Sequence, residues 1–63
     1  MDAVRRLLDS IREDKWLTDA DAATMVLIFQ KNKAAVASYM ELDNKSIMRL
    51  WVLQSVRMES GFV

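Results

Sequence analysis

The chain contains no cysteine, no histidine and no proline, and its single glycine, Gly61, stands near the C-terminus. Without cysteine no disulfide reinforces the fold. Without cysteine and histidine the usual nucleophile, general base and transition-metal ligands are missing as well. No enzymatic activity, metal or cofactor is expected. An excess of one charge is missing too: nine Lys and Arg balance nine Asp and Glu, so no overall field draws in nucleic acid or an anionic surface. The longest stretch poor in charge, Ala20 to Gln30, still contains Asp21 and falls short of the roughly 18 apolar residues that a membrane-spanning helix needs. The opening Met1-Asp2-Ala3-Val4-Arg5-Arg6 lacks the apolar core of a signal peptide. The expectation is a soluble, intracellular protein.

What remains is a 63-residue chain of which 52% is apolar. That length makes it one domain or a piece of a longer protein. A domain of about 60 residues buries only about 60% of the surface its unfolded chain exposes, so a core of this size is marginal. Small scaffolds commonly lean on disulfides, a metal or a partner chain. Here the first two are poorly supplied, and a partner or unusually good helix packing is left.

With so few helix breakers, the chain reads as helix interrupted by short polar junctions. Val4, Leu7, Leu8 and Ile11 follow the i, i+3, i+4, i+7 spacing of one apolar face, with Arg5, Arg6, Asp9, Arg12 and Glu13 on the other. Thr18-Asp19-Ala20-Asp21 sets a hydroxyl at an N-cap and two carboxylates in the first turn, where unpaired amides and the positive dipole end favour them. Leu17 precedes it in the position of a hydrophobic staple. The second helix has a stripe of Ala22, Met25, Val26 and Phe29, from which Leu27 and Ile28 point away. Gln30-Lys31-Asn32-Lys33 suits a helix C-terminus, with Asn tolerating a left-handed residue.

A short, alanine-rich third helix follows, with Val36, Tyr39 and Met40 as its apolar contacts. Asp43-Asn44 offers caps for a fourth helix that Gly61 closes. In that helix Ile47, Met48, Trp51, Val52, Val56 and Met58 span nearly half the circumference, and Leu50 and Leu53 lie beyond them. The fourth helix is therefore expected to be central or shared with another chain. The spacing predicts an all-α fold, a compact bundle of three to four short helices at about 2–15, 19–31, 33–41 and 45–59, whose short connections favour antiparallel neighbours.

Each candidate for chemistry has a plainer explanation. Asp19 and Asp21 suit a helix start better than an acid–base pair. Asp14, Asp19 and Asp21 do not make a calcium loop, because Trp16 and Leu17 interrupt them and no glycine forms the bend. Met25 and Met40 read as core fillers, whereas Met48 suits a core or an adaptable surface equally. Trp16 and Trp51 read as core or interface anchors, and Ser60-Gly61-Phe62-Val63 as a tail.

The excess of apolar residues over what one face requires predicts a non-catalytic protein–protein interaction module acting through apolar helix faces. It would either associate with itself, as a homodimer, or dock on a larger partner, using Leu27, Ile28, Met48, Leu50, Trp51, Val52, Leu53 and Val56. No small-molecule substrate is implied. The alternative is a small nucleic-acid-binding helical domain using the basic second half, Lys31, Lys33, Lys45, Arg49 and Arg57.

Overall fold

In the computed structural model residues 2–59 are described, and the 60–63 tail and the closing role of Gly61 lie outside them. Four helices follow one another: α1 (Asp2–Asp14), α2 (Asp19–Lys31), α3 (Lys33–Glu41) and α4 (Lys45–Glu59). No strand occurs among the described residues. The fold is the expected small all-α bundle, measuring 30 × 23 × 19 Å.

The junctions follow from local chemistry. The Thr18 hydroxyl accepts the amide of Asp21 at 3.1 Å and starts α2. Asn44 does the same for Ile47 at 3.0 Å and starts α4. Asn32 departs from expectation: its backbone is extended rather than left-handed, and its side chain accepts the amide of Ala35, so it ends α2 and caps α3 at once. One residue thus turns the chain between two helices. The left-handed residue is Lys15 instead, with φ 41°, just past the end of α1.

The core is built from Ala3 and Leu7 of α1, Leu17 of the first turn, Ala22, Met25, Ile28 and Phe29 of α2, Tyr39 of α3, and Met48, Val52 and Val56 of α4. No polar or charged residue is buried among the described residues. The central helix is α2, since it packs against all three others; of the two roles expected of α4, central or shared with another chain, the first falls to α2. Its buried residues at positions 22, 25, 28 and 29 make a broad face around which α1, α3 and α4 gather.

Side-chain contacts fix the directions. Arg49, early in α4, bonds Asp14 at the end of α1 and lies over the Trp16 ring, just ahead of α2. At the far end Lys31 of α2 bonds Glu59 of α4 at 2.6 Å. The helices α2 and α4 therefore run the same way. A ladder of aromatic rings ties α2, α3 and α4 together: Phe29 meets Tyr39 at 5.2 Å, and Tyr39 meets Trp51 at 5.9 Å, both within the centroid range of interacting aromatic pairs.

Arg6 completes the assembly and has no signature in the sequence. Its guanidinium reaches from α1 to the C-terminal end of α3, donating to the carbonyls of Tyr39, Met40 and Leu42. Those oxygens belong to the last turn and its cap, where the dipole end is negative and backbone donors run out; of the three, the Tyr39 carbonyl also accepts the Leu42 amide. The same guanidinium sits 5.2 Å from the centroid of the Tyr39 ring, in cation–π range. One side chain thus caps α3 and fastens it to α1.

Candidate functional site

Helix α4 has two apolar sides. Met48, Val52 and Val56, each four residues from the next, form one ridge and are buried in the bundle. Ile47, Leu50, Leu53 and Met58 lie on other parts of the helix, with 53%, 61%, 42% and 80% of their surface open to solvent. At about 100° per residue, Leu50 stands nearly opposite Val52. Trp51 lies between the two sides and is half-buried, its ring packed at a tilt beside Tyr39. On α2, Leu27 is 56% exposed and points away from Met25 and Phe29, with the exposed Ala20 and Ala23 on its side of the helix.

The eight residues expected to bind a partner therefore divide. Leu27, Leu50 and Leu53 are on the surface and Trp51 is at its edge. Ile28, Met48, Val52 and Val56 are buried within the chain's own core and offer nothing to a partner in this fold. The correction has a physical cause. On α4 the main stripe of Met48, Val52 and Val56 is taken up by the core, which leaves Leu50 and Leu53, expected off that stripe, outside; Lys45 and Arg49 stand beside α1 in this rotation, paired with Glu13 at 3.7 Å and Asp14 at 2.9 Å. Arg49 lays its guanidinium over the Trp16 ring, 5.4 Å from the centroid, while donating to the Asp14 carboxylate. Ile47 and Met58, read from the sequence as inner residues, are consequently outside. Met40 is outside as well and Met48 inside.

The basic residues of the second half do not gather into one cationic surface. Lys31, Lys45 and Arg49 each face a carboxylate. Asp19 and Asp21 occupy the first turn of α2, and among the described residues no three acidic side chains converge as metal ligands would. A depression of about 680 Å³ lies between α1 and α2 over Val4, Leu8 and Val26. Two of its charged residues, Asp9 and Arg12, pair with each other at 3.8 Å.

Among the described residues no helix is long and apolar enough to cross a membrane. Comparison of the chain with known protein families, with curated proteins and with solved structures finds no match.

Proposed function

We propose that the chain is a non-catalytic protein–protein interaction module that binds through the outward side of α4, with Leu27 of α2 on a further exposed face, either to itself or to a larger partner. One observation carries this reading. A helix that already contributes Met48, Val52 and Val56 to the core also exposes Ile47, Leu50, Leu53 and Met58. Single exposed apolar residues are ordinary on a soluble protein, but several gathered on one helix suit a helix that lies against another apolar surface.

Nucleic-acid binding through the basic second half has less support, since three of its five cations are engaged with carboxylates and phosphate recognition needs a concentrated, available basic footprint. Residual affinity for DNA or RNA that falls steeply with salt would favour that alternative.

The test is site-directed photo-crosslinking in cells, with a photoreactive residue at position 50 or 53 and a control at the exposed Arg12. Protein adducts are expected at 50 and 53 and not at 12. Equal labelling at all three positions, or none at any, would overturn the proposal.

A further inference from the structure

The outward face of α4 has an internal symmetry. Taking Leu50 as the centre, Ile47 and Leu53 lie three residues to either side, Ser46 and Gln54 four, and Asp43 and Arg57 seven. All seven residues are exposed. The helical ones fall within about 60° of Leu50 at about 100° per residue, and Asp43 stands in the turn that leads into α4. An apolar residue thus mirrors an apolar one, an uncharged polar residue mirrors another, and an acid mirrors a base.

We infer that this face pairs antiparallel with the same face of a second copy, across a two-fold axis at Leu50. In that arrangement a residue a given number of places before Leu50 meets the residue the same number of places after it on the other chain. Leu50 meets Leu50 of the second copy, each Ile47 meets a Leu53, each Ser46 a Gln54, and each Asp43 an Arg57. Among the described residues neither Asp43 nor Arg57 has an ion-pair partner within its own chain, so both are available for that contact. A parallel pairing would instead set Arg57 against Arg57 and Asp43 against Asp43, and would align the helix dipoles unfavourably. Isologous two-fold pairing is also the commonest way for identical chains to associate.

The inference rests on the interaction-module reading and narrows it to one occupant. A contact made by one helix of 15 residues is smaller than the roughly 1,600 Å² of a standard-size complex and belongs with small, transient interfaces.

Charge reversal tests the register. Asp43→Arg and Arg57→Asp, each alone, place two pairs of like charges across the axis. Mixed together, the two variants regain two Arg–Asp contacts in a heterodimer. Sedimentation velocity of the 63-residue chain at low ionic strength, where rim charges are least screened, is expected to show a wild-type dimer. Each single variant should dimerise about tenfold more weakly, and the equimolar mixture should return to wild-type strength. Circular dichroism confirms that each variant is folded. A dimer indifferent to both reversals, or one that the mixture does not restore, would overturn the inference. So would a wild-type chain that stays monomeric; if position 50 still crosslinks to a different protein, the interaction-module reading survives without the dimer, and if it crosslinks to nothing both fall.

Discussion

Three side chains carry more of the fold than their number suggests. Thr18 supplies the hydroxyl that starts α2, the helix on which every other helix rests. Thr18→Ala should lower stability by about 1 kcal/mol, seen as an earlier midpoint in urea. Arg6 holds three carbonyls at the end of α3. Arg6→Ala should destabilise by about 1–2 kcal/mol, and hydrogen exchange should rise first in α3. Tyr39 presents the opposite case, because its ring is fully buried while its hydroxyl has no hydrogen-bond partner. Removing an unpaired buried hydroxyl relieves its desolvation penalty, so Tyr39→Phe should leave stability unchanged or raise it by about 1 kcal/mol. Burial pushes the Tyr39 phenol above its usual value of 10.0, with Arg6 opposing the shift. The unfolded chain therefore releases this proton first as pH rises. The contribution is fully present below pH 10 and is lost as pH climbs through the folded value. Denaturation series between pH 9 and 11 should show wild type losing more stability than Tyr39→Phe, and parallel losses would rule out this role for Tyr39.

At the scale of the helices, local signals were legible, and so was the position of Leu50 and Leu53 off the main stripe of α4; how narrow its buried side is, with Ile47 and Met58 outside, was not. The boundaries of α2 and α4 follow from Thr18 and Asn44, whose side chains bond amides three residues on and so act within the span of a sequence motif. The stripe of Ala22, Met25, Val26 and Phe29 likewise marks the inner side of α2, although Val26 is only partly buried and Ile28, expected off the stripe, is buried beside Phe29. For α4 the apolar residues cover so much of the circumference that several rotations would bury a comparable set. The choice depends on where Trp16, Glu13 and Asp14 stand, which no residue within α4 specifies. Leu50 and Val52 make the consequence measurable. Val52→Glu puts a charge into the core and should unfold the chain, since breaking a buried site in this way costs several kcal/mol. Leu50→Glu should remain fully helical with a melting midpoint within a few degrees of wild type. If Leu50→Glu unfolds as readily as Val52→Glu, the rotation assigned to α4 is wrong.

For the whole molecule the question is how a chain this short fills a core while leaving so much apolar surface outside. The aromatic ladder and the α2 hub answer the first part, since large rings supply much buried area from few residues. The outer side of α4 answers the second if it is a surface meant to be covered. Composition showed the excess of apolar residues, and the all-α architecture followed from their spacing; which of them face outward required the tertiary arrangement. Multi-angle light scattering over a concentration series, on wild type and Leu50→Glu side by side, tests this most directly. The wild-type mass is expected to rise from 7.3 kDa towards twice that value, while Leu50→Glu stays at 7.3 kDa at every concentration with its helical content intact. A wild-type mass that never rises, or a Leu50→Glu mass that rises with it, would contradict self-association through this face.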